Sequence, residues 1–544
     1  ITKKPSAVDY AVGRLVGGTD SRFGGSVEIN GALPLEGAAG RVGLFYEDQD
    51  TFRDNTGSES LIFDGGLSFD IGGSLLTVQA TRYEQNLDGN RLRGVPVTDD
   101  GDFIASRRWN HNEPDDFLDL VSNNIQVLAE GQFSSMDVSW NAGLRYTDSE
   151  ENQEYHEPRT LEDTNGDGIL DFLSQREFRD QTRREEIWSF GANAIWRHSF
   201  GQVENRLLLG YDYFETEDTF DYDRARGTAA GVGGISLVDP VYGLSDRSTY
   251  TLSTVADGRV TDGERQGGYL INEATIGKFI AVLGARLDSF EDPGFDDEEV
   301  TLRAGLVYRV RDDVSLFMQW AESFEPQAPG NQIAERGGPF NPVEGEMIEA
   351  GLRTELLNGR IQTSASVYQI KRTNIIQNDP RGDVGDDGFD DLIAFGEVTS
   401  EGFEFDVAAD ITDNWVFTGS YGYNDTRITE DNGTTNLRNS VGERFANAPK
   451  HQLGFWTRYQ IPQYDLALAF GGDYVDDQLS LSGQTVKSFT VFDASVIWEV
   501  GDFDALLRID NLFDKTYAVS GFLSRTGHFP GEPRSVFLEL SREW

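Results

Sequence analysis

Apolar and polar residues alternate along most of this chain with a period of two. Between residues 137 and 146 every second side chain is apolar and its neighbours are polar or small, and the same alternation recurs at 300–310, 403–411 and 503–509. This period is typical of β-strands that present one apolar and one polar face, whereas a helical period is not evident anywhere. The pattern therefore predicts an all-β protein.

The connections between these predicted strands differ in length in an alternating way. Short turns are indicated at 311–313, 410–414 and 500–502. Long acidic, glycine-rich connections are indicated at 86–118, 150–184, 214–266 and 377–396. A soluble sandwich also alternates apolar and polar residues, but short connections at one end and long ones at the other are typical of an outer-membrane barrel.

Aromatic residues near the strand ends favour the same interpretation. Trp415, Phe417, Tyr421 and Tyr423 fall on one face of one predicted strand, as in the aromatic girdle of a membrane barrel. The chain stops at Trp544, which shares its face with Leu540, Leu538 and Val536. We expect this last strand to pair with the first and close the barrel.

Backbone hydrogen bonding gives the physical reason for a closed structure. In lipid every N–H and C=O group needs a partner within the protein, which only helices and closed barrels provide. Because no helical pattern is found, we predict a large antiparallel transmembrane β-barrel. A barrel of about 22 strands, with roughly 10 residues per crossing, leaves ample chain for loops and strand extensions.

Composition excludes several classes of partner and of binding site. The 544 residues carry 46 Lys and Arg against 93 Asp and Glu, a net charge of −47, which makes a nucleic-acid partner unfavourable. The absence of cysteine excludes disulfides, thiolate metal sites and cysteine nucleophiles. No apolar run is long enough for a transmembrane helix, and the first residues do not form a signal peptide.

Several segments, taken in order, resemble the TonB-dependent siderophore receptors of Gram-negative outer membranes. They are 2–18, 94–96, 107–116, 239–243, 267–270, 283–288, 346–351, 359–360, 400–404, 449–451, 510–517 and 533–534. The resemblance spans nearly the whole chain. It implies import of a ferric siderophore, driven by the inner-membrane TonB complex, by a barrel that is monomeric at the level of the pore.

The same resemblance divides the chain into two parts. It implies that residues 1–18 are the end of a plug domain and its junction into the first strand, and that 19–544 form the barrel. We find no plug and no TonB box in the sequence. The plug could have been removed, be missing from this sequence or lie on another chain, and we expect one of the first two. Arg542 departs from the family by standing where an outward apolar residue is usual; near the interface its side chain can snorkel.

One loop motif indicates a calcium site. Asp163, Asn165 and Asp167 occupy positions 1, 3 and 5 of a D-x-[DN]-x-[DN]-G sequence, Ile169 supplies a carbonyl at position 7, and Asp171 follows. Position 12 is Ser174 instead of a bidentate Glu, so an ordinary Asx-rich turn stays open as an alternative. A second, weaker candidate comprises Asp383, Asp387 and Asp391.

The resemblance also implies a ligand site in the extracellular loops. Ferric complexes are often anionic, so Arg donors and aromatic faces are the expected chemistry, and the pocket must locally reverse the field of an acidic exterior. The candidates are Arg107, Arg108, Trp109, His111, Tyr155, His156, Arg159, Arg336, Phe340, Arg525 and His528. Plain loop chemistry is the alternative for each of them.

No motif indicates catalysis, and no resident cofactor is required beyond the candidate Ca²⁺. The acidic stretches are expected to be solvated, with divalent-cation bridging to lipopolysaccharide and outer-membrane lipid as a second use. Two alternatives to siderophore import stay open, a structural or partner-binding barrel with an unidentified protein partner and a passive diffusion pore. Cobalamin or a carbohydrate is an alternative cargo.

Overall fold

The protein is a closed antiparallel barrel of 22 strands. The computed structural model describes residues 3–89, 93–292, 295–328, 331–378, 392–394, 396–430 and 440–544. The barrel strands are β1 Tyr10–Gly18, β2 Phe23–Ala32, β3 Ala38–Asp50, β4 Gly57–Ile71, β5 Ser74–Asp88, β6 Phe117–Phe133, β7 Val138–Glu162, β8 Phe172–Phe200, β9 Val203–Arg226, β10 Ser253–Ile276, β11 Phe279–Asp292, β12 Phe295–Arg311, β13 Val314–Glu325, β14 Val343–Leu356, β15 Ile361–Thr373, β16 Glu397–Thr412, β17 Trp415–Glu430, β18 His451–Ile461, β19 Leu466–Val475, β20 Phe489–Val500, β21 Phe503–Asp510 and β22 Ser535–Glu543.

Each strand pairs with its neighbours in sequence, and β22 pairs with β1 through Leu540 opposite Leu15. The predicted all-β fold, the strand number and the closure by the last strand are confirmed. The described residues contain short 3₁₀ turns but no α-helix. Among them, no helix is long and apolar enough to cross a membrane.

The two faces of the wall differ as the alternation predicts. Leu144, Val300, Phe403 and Leu507 lie on the outward face with 37–57% of their surface exposed in the isolated chain. The inward face is polar, and Arg41, for example, is paired there with both Glu28 and Asp64. An apolar exterior around a polar lumen is the arrangement of a membrane barrel and the reverse of a soluble protein.

The connections separate by length at the two ends of the barrel. Those that follow the even-numbered strands are short, as at 72–73, 201–202 and 501–502, and both chain ends lie at this end. Those that follow the odd-numbered strands include the long loops 89–116, 227–252 and 511–534. The short turns therefore face the periplasm and the long loops face the cell exterior.

Two of the predicted long connections are wrong in extent. Residues 150–162 and 172–184 belong to β7 and β8, and residues 214–226 and 253–266 belong to β9 and β10. These strands have 25, 29, 24 and 24 residues. At about 3.3 Å per residue they run for roughly 80–95 Å, well beyond a bilayer core of about 30 Å.

The strands in the opposite part of the barrel are short, so the wall there is low. Strands β18–β22 have 11, 10, 12, 8 and 9 residues, which is roughly 25–40 Å of strand and little more than one membrane crossing. We call β7–β10 the tall wall and β18–β22 the low wall.

The first residues lie against the inside of the barrel. Lys3 and Lys4 form ion pairs with Glu28 and Glu130, and the side chain of Asn30 donates to the carbonyls of Ser6 and Val8. The wall itself begins at Tyr10, within the segment 1–18 that the sequence assigns to the junction.

Arg542 lies at the periplasmic rim, where its guanidinium is 2.9 Å from Asp502 and stacks over the rings of Phe503 and Trp544. These contacts keep the charge at the rim.

Candidate ligand-binding site

Extracellular loops are fixed to the top of the tall wall by two apolar clusters. Val95 and Trp109 from loop 89–116 pack with Leu173 of β8 and with Ile235 and Leu237 from loop 227–252. A second cluster joins Phe178, Ala225 and Val232. Two loops and two strand ends are thereby held as one unit, because their apolar side chains are buried against each other.

A buried ion pair connects the same segments. Arg176 donates to a carboxylate oxygen of Glu113 at 2.7 Å and to the carbonyls of His111 and Gly233, and both charged side chains are at most 2% exposed. Glu113 also accepts from the Gly243 amide and the Ser245 hydroxyl. Nearly every polar atom of the pair is therefore bonded, as a buried pair requires.

Asp116 forms the centre of a second buried network. Its carboxylate accepts from the backbone and Nδ1 of His156, at 2.9 and 2.8 Å, and from Arg247. The Nε2 atom of His156 lies 2.9 Å from the Tyr250 hydroxyl. Burial alone would raise the pKa of Asp116, but the hydrogen bonds from His156 outweigh burial and lower it.

His111 is fully buried beside this network. Its Nε2 accepts from the Arg93 amide at 3.1 Å, so Nδ1 carries the proton and donates to the carbonyl of His156 at 2.6 Å. Burial, with the nearby Arg53 charge, lowers the pKa of His111 to about 3. The ring is neutral, and its two hydrogen bonds connect loop 89–116 to β7.

The inward face of the same strands carries a group of arginines around one carboxylate. Glu177 of β8 is fully buried and accepts from Arg159, Arg179 and Arg226, with Arg179 at 2.8 Å. The guanidinium of Arg179 lies 5.7 Å from the ring centroid of Tyr155 and 5.8 Å from that of Tyr222, which both face it.

Two further arginines extend this group. Glu157 lies directly across from Glu177 in the β7–β8 ladder and accepts from Arg93 at 3.1 Å. Arg525, from loop 511–534, is close enough to Arg159 and Arg93 for their charges to act on it. We call Arg93, Arg159, Arg179, Arg226 and Arg525 the arginine cluster.

The arginine cluster reverses the charge of the protein locally. Five guanidiniums face two carboxylates, Glu157 and Glu177, which leaves three uncompensated positive charges in a chain of net charge −47. The carboxylates lie underneath, 7% and 0% exposed, whereas the side chain of Arg226 is 49% exposed. A ligand approaching from the loops therefore meets mainly guanidinium groups.

The structure separates the predicted ligand-binding residues into several environments. Tyr155, Arg159 and Arg525 belong to the arginine cluster or line it. Trp109 and His156 are buried between the loops, as is His111. Their place in the loop packing does not test ligand contact, which stays a prediction.

The remaining candidates are spread around the extracellular end. Arg107 pairs with Asp514 at 2.9 Å, and Arg108 pairs with Asp54 at 3.0 Å. Arg336 ends a 3₁₀ turn in loop 326–342, where the Gln332 side chain bonds to the backbone of Phe340. No described contact brings that loop to the arginine cluster.

His528 is buried where loops 89–116 and 511–534 meet. Its backbone exchanges two hydrogen bonds with Val95, and neither ring nitrogen has a hydrogen-bonding partner within the described part of the chain. Burial lowers its pKa to about 4. Its neutral ring is buried between these two loops, and contact with a ligand stays a prediction.

The sequence alone does not indicate Arg93, Arg179 and Arg226. Arg179 and Arg226 lie in stretches where residues of both charges are interspersed, and Arg93 lies in a long predicted connection, so nothing nearby distinguishes them. The decisive information is the β7–β8–β9 register, which places Glu157 opposite Glu177 and Glu177 opposite Arg226.

The candidate calcium loop forms a tight turn between β7 and β8. Asp163 accepts from the amides of Gly166 and Gly168, Asn165 accepts from Asp167, and Asp167 accepts from Ile169. Asp171 accepts from the amide and hydroxyl of Thr164. No group of three or more acidic or histidine side chains in the described ranges is placed to hold a metal, and calcium binding stays a prediction.

Asp383, Asp387 and Asp391, the second calcium candidate, lie outside the described residues.

Carboxylates form rows on the outward face of the barrel from β8 to β12. Glu186 lies across from Glu217, and Glu264 lies across from Glu291, which in turn faces Asp296. Like charges directly opposite each other repel, and counter-ions would relieve this repulsion. Contact with lipopolysaccharide through divalent cations stays a prediction.

Comparison with known families identifies the barrel. The family model described as TonB dependent receptor-like, beta-barrel matches residues 45–512. The chain belongs to this family. As a TonB-dependent receptor barrel, it is located in the outer membrane of a Gram-negative bacterium.

Curated relatives of this TonB-dependent receptor barrel are receptors and transporters. The ferrichrome outer membrane transporter/phage receptor of Escherichia coli K12 is 26% identical over 65% of this chain and 48% of its own length. The metal-pseudopaline receptor of Pseudomonas aeruginosa UCBPP-PA14 is 24% identical over 99% of this chain and 76% of its own. The chain thus spans about half of the first relative and three quarters of the second.

Solved structures share the fold. The siderophore receptor PiuA of Acinetobacter baumannii superposes with a TM-score of 0.86 at 17% identity, covering 100% of this chain and 83% of the other. The ferripyoverdine receptor of P. aeruginosa, bound to ferripyoverdine, gives 0.81 at 17% identity, with 100% and 73% covered. At this identity the similarity shows the architecture alone.

Proposed function

We propose that this protein is an outer-membrane receptor that imports a ferric siderophore with energy from the inner-membrane TonB complex. The observation that carries the proposal is the arginine cluster at the inner side of the extracellular loops, in a barrel of the TonB-dependent receptor family. In this proposal its partly exposed guanidiniums bind an anionic or hydroxylated chelate before the ligand enters the lumen.

The family match and the relatives support this cargo class. The relatives include a ferrichrome outer membrane transporter, a ferrioxamine B receptor and a metal-pseudopaline receptor. The proposal keeps Tyr155, Arg159 and Arg525 as ligand-binding residues and adds Arg93, Arg179 and Arg226. Trp109, His111, His156 and His528 would then act by holding the loops in place.

The rigid loop assembly favours a receptor over a passive pore. Buried ion pairs and two apolar clusters fix the extracellular loops, and such fixed loops suit selective capture. Coupling to TonB would need a plug domain, a segment outside the described residues. The cycle would consist of capture at the loops, release into the lumen and passage to the periplasm, with no covalent change in the chelate.

Iron uptake tests the proposal. Iron-starved cells that make this protein from its full reading frame as their sole siderophore receptor should accumulate ⁵⁵Fe from at least one ferric chelate. Uptake should disappear when TonB is deleted. Uptake that is independent of TonB and scales with the size of the solute would support a pore, and no uptake with any chelate would contradict the proposal.

A further inference from the structure

The arginine cluster contains more positive charge than its own fold needs. Glu177 is already saturated by three guanidiniums, and Glu157 is engaged by Arg93. Arg525 is therefore added to a site that is already positive. Burial and the nearby Arg159 charge lower the pKa of Arg525, and Glu157 opposes them only in part, so an additional anion would stabilise the charged guanidinium.

Two hydrogen-bond donors of this site have no partner within the described part of the protein. The Nε atoms of Arg159 and Arg525 are buried, and neither has a hydrogen-bonding partner in the part of the chain that the structure describes. A buried N–H group without a partner is costly and is usually satisfied by a ligand or an ordered water. The guanidinium groups of Arg159 and Arg525 are planar and present parallel N–H donors. This geometry matches the two oxygens of a carboxylate better than it matches a single point charge.

The contributing segments also explain how such a site would detect a ligand. Arg159, Arg179 and Arg226 come from adjacent strands of the tall wall, whereas Arg93 and Arg525 come from two different loops. An anion in the middle would draw wall and loops together, because its charge offsets repulsion among all five groups.

We infer that the arginine cluster binds a ferric chelate that carries a net negative charge and presents free carboxylates. This inference rests on the proposed function and specifies its ligand class. A ferric trihydroxamate is neutral, because three hydroxamate anions balance Fe³⁺, and it leaves the repulsion unrelieved. Affinity for the anionic chelate falls as salt screens the charges.

Binding to the purified receptor, made from its full reading frame and measured by calorimetry, tests this inference. Ferric citrate is the anionic probe with free carboxylates, ferric tris-catecholate is the anionic probe without them, and ferric tris-acetohydroxamate is the neutral probe. We expect ferric citrate to bind most tightly and to lose affinity with added salt. Substitution of Arg525→Gln should weaken its binding about tenfold, the usual effect of losing one charge-assisted hydrogen bond.

Arg226→Gln is a second test variant, because its side chain is half-exposed and Glu177 keeps Arg159 and Arg179 as partners when Arg226 is replaced. Arg184→Gln is the matched control. It also removes one positive charge, but from the outward face of β8, where the Arg184 side chain is 65% exposed. It should leave the affinity for ferric citrate unchanged.

The outcomes separate this inference from the proposed function. Equal affinity for the neutral probe, unaffected by Arg525→Gln, would overturn the inference and leave siderophore import intact. Equal affinity for the catecholate probe would overturn the assignment of carboxylates. Failure of the native receptor to bind any ferric chelate would overturn the proposed function and this inference with it.

Discussion

The tall wall and the low wall of this barrel follow the same β-sheet rules but depend on different surroundings. In the low wall the outward face is apolar and aromatic, with Phe455, Phe470 and Phe492 in successive contact across β18–β20. In the upper part of the tall wall the outward face is instead covered by loop 227–252, whose Val232 packs on Phe178. Lipid stabilises one outward face and protein stabilises the other.

This difference explains where a ligand site can form. The low wall ends near the membrane surface, so it supports few groups beyond the bilayer. The tall wall continues outward and gives the loops a rigid support. Charged side chains on its inward face can therefore be held by buried partners, as Glu177 holds Arg179, in a place where an incoming ligand meets them.

The largest effect is expected from the Arg176→Met substitution in the tall wall. It leaves Glu113 buried without its charged partner, which typically costs about 3–5 kcal/mol. Loops 89–116 and 227–252 should become sensitive to protease while the barrel stays folded. Arg183→Met is the control, because the Arg183 side chain is 51% exposed and its loss should cost below about 1 kcal/mol. Unchanged protection in Arg176→Met would contradict the role of the pair.

A second prediction compares the surroundings of the two walls. Leu507→Arg places a charge at mid-height on the lipid face of the low wall and should cost about 2–4 kcal/mol of unfolding free energy. Val260→Arg makes the same change on the outward face of the tall wall, above the membrane, and should cost nearly nothing. Unfolding in lipid vesicles measures both. Equal costs would contradict the division into a lipid-facing and a water-facing part.

A third prediction concerns pH. The pKa of His528 is lowered to about 4, whereas an unfolded histidine titrates near 6.5. The stability from the neutral ring is thus complete above pH 6.5 and is lost as pH falls toward 4, by about 2 kcal/mol at pH 5. The protection factor of the Val95 amide, which corrects for the slower intrinsic exchange at low pH, should fall in this range.

His528→Met removes the titrating ring and should flatten this dependence. His198→Met, on β8 near the periplasmic turn, should retain it. A pH dependence that is identical in His528→Met would show that other groups cause it.

The smallest effect is expected at the loop between β7 and β8. Asp163→Ala removes the acceptor of two amide hydrogen bonds and should loosen this exposed turn without affecting the barrel. If the loop binds calcium, chelation should increase protease cleavage at 163–171 in the native chain but not in Asp167→Ala. The same cleavage with and without calcium in the native chain would contradict the predicted site.

The sequence is informative about the fold because lipid imposes a strict rule. The side chains of residues 137–146 and 503–509 point alternately to the lipid and to the lumen, and both segments are strands. Above the membrane that rule ends. Residues 150–162 carry charges on both faces, so the local pattern predicts a loop, although these residues continue β7. Strand length beyond the bilayer is decided by the neighbouring strands and loops, which a local pattern does not contain.

The candidate site was predictable only in part, for a similar reason. Arg159 and Arg525 could be named because they are basic residues in predicted loops. The grouping of Arg93, Arg179 and Arg226 with them depends on the β7–β9 register and on contacts between segments more than 300 residues apart, as between Arg93 and Phe522. His156 could also be named from its chemistry, but its pairing with Asp116 depends on contact between two distant segments, and its contact with a ligand stays a prediction.

The position of bound iron tests the central claim most directly. In a crystal of the receptor soaked with ferric citrate, the anomalous signal of iron should lie beside Arg159 and Arg525, on the inward face of the tall wall. An iron site of full occupancy at the low wall, or on the outward face of the barrel, would contradict the account.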